Sequence, residues 1–235
     1  MKRRRFTQLL AIAAGRAALL LSPLGFWIRP ARAKTGKRVL DADTDLTTLL
    51  FEDPADLDPR NLPLTPIEKF GTMGVTDYAV DLAAWRLKIG GAVKTPMGLA
   101  FPKIKAMPVL ERKALLICPG VFSFYAKWKG VSLWRILEAA GIDNRATHVT
   151  VTGAGRHFPK KERFSVAEVR ADAAFLAYGV NDQPLPQKHG YPIRMVAENH
   201  VGDDWVKYVE AVTVEIGEAS PAPEKDRSDG PSFLP

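Results

Sequence analysis

Few side chains in this sequence can do chemistry beyond solvation. One cysteine, Cys118, occurs in 235 residues. A thiolate is a soft ligand and a nucleophile, suited to polarisable metals or to covalent catalysis. Four histidines, His148, His157, His189 and His200, fall at spacings that match no standard zinc motif. A cysteine–histidine dyad with any of them is open, and so is an inert buried thiol. C-x-x-C, H-E-x-x-H, G-x-S-x-G, the phosphate-binding glycine loop and the dinucleotide fingerprint do not occur. Arg194 and Lys207 each offer positive charge to an anion, or else face solvent from a strand. Asp41, Asp43, Asp45, Glu52, Asp53, Asp56 and Asp58 crowd one acidic stretch. That pattern fits a solvated segment better than a metal cluster.

The elements that position these residues follow from hydrophobic period. Lys113–Cys118 is a short continuous apolar run, the mark of a buried strand, and Pro119-Gly120 stops it. Cys118 is therefore expected at a strand end opening into a loop with Gly120, Ser123, Tyr125 and Trp128. Ser132 can cap a helix whose apolar stripe is Leu133, Ile136, Leu137 and Ala140, with Gly141 ending it. Ser165-Val166-Ala167-Glu168 reads as a capping box. Strands are expected over 84–89, 147–152, 174–180, 191–197 and 206–216, with Asn181-Asp182 as a turn. Strands outnumber helices and do not alternate with them, so the fold class is α+β.

Around Cys118 the residues resemble a known family. Leu116-Ile117-Cys118-Pro119-Gly120-Val121-Phe122, followed by Trp128-Lys129-Gly130-Val131-Ser132-Leu133, is similar to the cysteine segment of the sulfite-oxidase family of molybdopterin enzymes. A second block agrees in order: Leu176-Ala177-Tyr178, Asn181, Pro184-Leu185-Pro186, His189-Gly190, Pro192, Arg194, Gly202 and Val206-Lys207-Tyr208. A third precedes both, with Thr65-Pro66, Phe70, Trp85-Arg86-Leu87 and Gly91-Ala92-Val93 before Pro96.

The resemblance implies a sulfite-oxidase-type molybdopterin-binding fold of mixed sheets with short helices, and molybdenum on molybdopterin as cofactor. Cys118 would be the metal ligand and catalytic centre. His189, Arg194, Trp205, Val206, Lys207 and Thr65 match cofactor-binding positions, with Arg194 and Lys207 on the terminal phosphate. Tyr125 is assigned a supporting role on the loop after Cys118. The implied activity is oxygen-atom transfer on a small-molecule or protein sulfoxide, an N-oxide or a sulfite-like compound. The implied electron partner is a separate protein, a membrane haem protein or cytochrome. Three departures stand out. Thr72–Asp77 lacks the Arg and His that suit sulfite in some relatives. Asp203-Asp204 adds two carboxylates to a loop that is often neutral or basic. Thr65 replaces an Asn found in methionine-sulfoxide-reducing relatives. These departures keep a second reading open: a cofactor-less binding or electron-transfer module of the same fold.

The formal net charge of +7 invites a nucleic-acid reading. Its distribution argues otherwise. Residues 1–33 hold seven bases and no acid, which leaves 26 bases and 26 acids in the rest. A neutral body has no general attraction for nucleic acid. The basic residues belong to an expected address: a positive Met1–Arg5, an apolar Phe6–Trp27 and Ala31-Arg32-Ala33 as a cleavage site. Arg3-Arg4-Arg5-Phe6 is similar to the twin-arginine export signal, so the expected location is the periplasm, with an uncleaved anchor as the alternative. Residues 34–63 then form an acidic extended lead-in, 64–217 the catalytic domain and 218–235 a loose tail.

Overall fold

The computed structural model describes residues 36–155 and 159–217. The expected signal segment, the tail and His157 lie outside the described residues. In chain order the strands are β1 (Arg38–Val39), β2 (Leu57–Asp58), β3 (Leu87–Gly91), β4 (Met97–Leu99), β5 (Val109–Cys118) and β6 (Phe122–Val131). They continue as β7 (His148–Gly153), β8 (Lys161–Ser165), β9 (Ala174–Val180), β10 (Gln183–Pro184), β11 (Arg194–Ala197) and β12 (Val209–Glu215). Three short helices interrupt them: α1 (Phe101–Lys105), α2 (Leu133–Ala139) and α3 (Val166–Arg170). No helix among the described residues is long and apolar enough to cross a membrane.

Two five-stranded sheets result. One runs β4-β3-β12-β7-β8, with β12 parallel to β3 and antiparallel to β7. The other runs β5-β6-β9-β10, and β11 also pairs with β9. Alternation makes each strand two-faced, and one core joins the sheets: Leu87, Val149, Val151, Val212 and Val214 from the first, Leu116, Phe124, Trp128, Leu176 and Val196 from the second. The α+β expectation stands in this coarse form: mostly sheet, few helices.

The β5–β6 hairpin is the longest pairing, in register from Val109↔Val131 to Cys118↔Phe122. Ser123, Tyr125 and Trp128, expected on a loop, lie instead on β6. Pro119-Gly120, which reads as a stop, makes the tight turn, with Val121 N donating to Cys118 O at 3.0 Å, and the chain re-enters the sheet at once. The hairpin sorts its residues by parity. Ala114, Leu116, Cys118, Phe122, Phe124, Ala126 and Trp128 pack on the main core. Leu115, Ile117 and Tyr125 face a second, small core with Leu40, Leu49, Leu57 and Leu62. Two expectations change as a result. Tyr125 points away from the face that carries Cys118, so it does not support that residue. Residues 40–62 are not an extended surface strip. They form 3-10 turns at Leu46–Leu49 and Pro54–Asp56, capped by Asp45 and Asp53, whose carboxylates accept from Thr47 N at 2.9 Å and Ala55 N at 3.0 Å. The leucines supply the burial, and two of the acids are caps.

The helices begin where expected. Ser132 accepts from Arg135 N at 3.3 Å to cap α2, and Gly141 turns left-handed beyond its end at φ +70. Ser165 and Glu168 make the full capping box at α3. Glu168 does more than cap. Its second oxygen lies 2.7 Å from His200 Nε2, and Asp204 lies 3.3 Å from His200 Nδ1. One imidazole thus ties α3 to the 198–207 loop, which carries Trp205 and Lys207.

The two carboxylates push His200 from its ordinary 6.5 up to about 9. Hydrogen bonding to His200 first, then to Ser165, pulls Glu168 from 4.5 down to about 2. A raised histidine stabilises fully below pH 6.5 and loses its effect as pH climbs through about 9. A lowered carboxyl stabilises above pH 4.5 and loses its effect as pH falls through about 2. The clamp is therefore complete between pH 4.5 and 6.5. His200→Asn should cost about 1–2 kcal/mol there, after allowance for solvent screening of a partly exposed pair. The cost should shrink above pH 9. Urea denaturation of both proteins across pH measures it, and a pH-independent difference would contradict the clamp.

Candidate active site

Cys118 ends β5 with its sulfur half-buried. Besides packing on the core, its sulfur meets Met73, whose Sδ lies 3.3 Å from Cys118 Sγ. No histidine nitrogen is in hydrogen-bond contact with that sulfur among the described residues. Burial raises the thiol pKa, and the Asp203 carboxylate raises it further. Such a thiol is protonated and a poor nucleophile at neutral pH. That works against a cysteine hydrolase. A metal cation would reverse the balance, because coordination deprotonates a thiol outright.

Beside Cys118 lies an aromatic ladder. Phe122 stacks toward Phe124 at 6.0 Å between ring centroids, and Phe124 stacks on Phe70 at 4.1 Å. Phe70 meets the His189 ring edge-on at 5.6 Å. Phe124 also neighbours Trp128 at 6.3 Å, and Trp128 meets Trp205 edge-on at 5.6 Å. Gly71 lies flat against this ladder; a Cβ there would collide with the Phe122 ring. Gly130, two residues after Trp128, is likewise obligatory, since a Cβ would strike the Leu176 carbonyl where β6 meets β9.

Three nitrogen-bearing side chains converge at the far end of the ladder. Arg194, at the start of β11, is only 3% exposed. Its guanidinium lies over the rings of Trp128 (4.9 Å) and Trp205 (5.4 Å) and donates to His189 O at 3.1 Å. Burial lowers its pKa, yet a guanidinium keeps its proton in a protein. Lys207 Nζ donates to Thr72 Oγ1 (3.1 Å), Met73 O (2.7 Å), Val75 O (2.5 Å) and Lys188 O (3.2 Å). Burial first, and then the Arg194 charge, pull it down to about 8. Among the described residues no carboxylate pairs with Arg194 or Lys207. His189 is 1% exposed, and its Nε2 has no hydrogen-bond partner. Burial first, then the charges of Arg194, Lys188 and Lys207, push it down to about 4, so the ring is neutral. Gly190 brings these groups together: its φ of +107 lets the chain turn where a Cβ would crowd both Lys207 and Arg194 at 3.1 and 3.2 Å.

Buried positive charge without an acid is costly, and so is a buried polar atom without a partner. Two cations and an orphaned imidazole nitrogen in one place suit a multiply charged anion such as phosphate. Of the residues expected to bind cofactor, the structure brings His189, Arg194, Trp205 and Lys207 together. Val206 enters through its carbonyl, which accepts from Met195 N at 2.7 Å and so fixes β11 beside Lys207. Thr65 is elsewhere by contact: it pairs with Tyr125 through Tyr125 N to Thr65 Oγ1 at 3.1 Å, and its carbonyl accepts from Asn181 at 2.8 Å. Sequence reasoning missed Met73, Phe70, Phe122 and Phe124 as site residues. No motif marks Met73; only the folded chain brings it to Cys118. Asp204 and Asp203 also differ from a purely solvated pair. Asp204 holds His200, and Asp203, 66% exposed, pairs with Lys160 at 3.1 Å beside Glu162.

The chain shares its fold with the sulfane dehydrogenase SoxCD of Paracoccus pantotrophus at a TM-score of 0.57 and 22% identity, over 66% of this chain and 46% of that one. Residues 73–222 match the oxidoreductase molybdopterin binding domain. The chain therefore belongs to the oxidoreductase molybdopterin binding domain family, and the cofactor of that family is molybdenum on molybdopterin. Among curated relatives it is 32% identical to the uncharacterized oxidoreductase YuiH of Bacillus subtilis over 127 residues, 52% of this chain and 61% of YuiH. It is 28% identical to the protein-methionine-sulfoxide reductase catalytic subunit MsrP of Xanthomonas axonopodis over 232 residues, 88% of this chain and 68% of MsrP. Barley nitrate reductase matches at 24% identity, where the chain spans 24% of that enzyme's length. The chain thus spans 61% of YuiH and a smaller share of the nitrate reductase.

The absence of an acid beside Arg194 makes a stability prediction. Arg194→Met should leave the cofactor-free protein's urea stability unchanged or raise it by about 1–2 kcal/mol, because an uncompensated buried cation is lost to an apolar chain of similar length. The same variant should lose most of its molybdenum. A stability loss of several kcal/mol would show that the guanidinium serves the fold and not the anion.

Proposed function

We propose that this protein is an exported oxygen-atom-transfer enzyme in which Cys118 ligates molybdenum and Arg194, Lys207 and His189 hold the cofactor's phosphate. The observation that carries the reading is the cluster of two acid-free cations and an orphaned imidazole nitrogen, linked through Met73 to the single thiol. The residues fit the group. A soft thiol at one end suits the metal, and a cationic pocket at the other suits phosphate.

When bound, the cofactor supplies the two-electron change that accompanies oxygen-atom transfer. The chain's own residues bind and orient. Arg194 offers a planar fork of donors, held at a fixed angle by Trp128 and Trp205 beneath it. Lys207 offers a point charge, and its contacts to 72–75 hold that segment beside Cys118. Neutral His189 can donate from Nε2 to an anion without adding repulsion to the two cations. The aromatic ladder keeps water from the space between. The substrate is an S- or N-oxide or a sulfite-like compound, and electrons pass to or from a separate protein. The similarity to MsrP supports a sulfoxide. The basic, apolar N-terminal segment supports export to the periplasm.

Protein produced in a host that makes the cofactor should contain about one molybdenum per chain and show a visible thiolate-to-metal band. Cys118→Ser should lose that band and at least about a hundredfold of dye-coupled activity, since even outer-shell changes cost 10–100-fold at metal sites. Full activity in the serine variant would overturn the ligand assignment.

A further inference from the structure

We infer that Met73 sets the substrate class of this site, favouring neutral oxides over anions such as sulfite. The inference deepens the oxygen-transfer reading and rests on it. A metal bonded to Cys118 Sγ lies one bond from the atom that Met73 Sδ already touches at 3.3 Å. A substrate approaching that metal from the Met73 side would meet this side chain. Met73 is also on the open side, at 54% exposed.

Its position is held, not incidental. Lys207 grips the carbonyls of Met73 and Val75, and Gly71 is pressed against Phe122. The main chain on both sides of the side chain is pinned. The residue presented to the sulfur is a neutral, polarisable thioether.

The surrounding charge points the same way. Gly202, next to Asp203, lies against Leu116 and the Ile117 carbonyl, which brings the acidic loop to the Cys118 end of β5. Three of the nearby cations are turned to other work. Arg194 is buried over its two tryptophans, Lys207 is spread over four oxygens, and Lys160 is bound by Glu162 and Asp203. An anion reaching Cys118 would meet a thioether and a carboxylate, and would lose hydration without a compensating partner. A neutral sulfoxide loses far less. Its apolar substituents would also find Val75 and Val121, both about half exposed, and Phe51 beside Gly120 at the hairpin turn. Thioether contacts with such groups are favourable and adaptable.

The two half-reactions balance separately. A sulfoxide takes two electrons from reduced viologen and two protons, and leaves as a thioether and water. Sulfite takes oxygen from water and leaves as sulfate, releasing two protons to solvent and passing two electrons to two ferricyanide ions. The test compares wild type, Met73→Ala and Met73→Arg, all molybdenum-loaded, with dimethyl sulfoxide and with sulfite. It also measures equilibrium sulfate binding by calorimetry, which needs no turnover. The expected result is a kcat/KM for the sulfoxide at least tenfold above that for sulfite in wild type. Met73→Arg should narrow or reverse that ratio by about tenfold or more, equivalent to ~1.4 kcal/mol, and should gain sulfate binding that wild type and Met73→Ala lack. An unchanged ratio in Met73→Arg, or tight sulfate binding by wild type, would overturn the inference. A loaded protein that turns over neither substrate, while Met73→Arg alone gains sulfate binding, would overturn the oxygen-transfer reading and leave the role of Met73 supported.

Discussion

The structure depends on keeping the charge of Arg194 inside the protein without an acid to neutralise it. A buried guanidinium is paid for by its surroundings, and here these are two indole faces and two backbone carbonyls. Cation–π contact offsets part of the lost hydration. It leaves the charge itself unneutralised, which a carboxylate would not. Much of the surrounding architecture follows. Trp128 must come from β6 and Trp205 from the loop before β12, so these two segments have to meet. Gly130 is a glycine because the Leu176 carbonyl runs too close for a side chain, and Gly190 because its φ of +107 favours a residue without a Cβ.

The β5–β6 hairpin joins this cationic end to the thiol. Its ten-pair register sets Cys118 opposite Phe122, and parity then delivers Phe124 and Trp128 to the same face. A one-residue slip of either strand would turn its own residue, Cys118 on β5 or Trp128 on β6, to the small leucine core on the reverse face. That reverse core, built from Leu40, Leu49, Leu57 and Leu62 against Leu115, Ile117 and Tyr125, therefore has a part in the site. It fixes which face of the hairpin is which.

Cys118 stands out as the single cysteine, whereas Arg194 and Lys207 are singled out only by the family resemblance; α2 and α3 were legible because their caps are local. The strand 174–180 was also plain from its apolar run. What escaped was set by contacts far apart in the chain. The strand β6 was hidden because Pro119-Gly120 serves equally for a loop or a tight hairpin, and only the partner strand decides. Tyr125 was placed near Cys118 by proximity in sequence, whereas strand parity puts it on the opposite face. The acids of 41–58 looked uniformly solvated, since nothing local marks Asp45 and Asp53 as caps or ties the leucines between them to β5. Met73 lies 45 positions from Cys118, and no spacing rule reaches that far.

Charge in this protein is neutral in sum over the residues after 33 but segregated around the site. The inner cations, Arg194 and Lys207, face aromatic rings and main-chain oxygens. The outer acids are each tied to a rim cation: Glu162 and Asp203 to Lys160, Glu168 and Asp204 to His200. The two sets are kept apart for a physical reason. Were Asp203 to turn inward and pair with Lys207, the anion pocket would lose half its charge and the loop would collapse onto the 72–75 segment. Lys160 holds Asp203 at the rim, and His200 anchors the neighbouring Asp204 to α3. The rim pairs therefore protect the pocket's charge by occupying the acids nearest to it. With two carboxylates sharing one ammonium at Lys160, the rim keeps negative charge outside the inner cations without neutralising them.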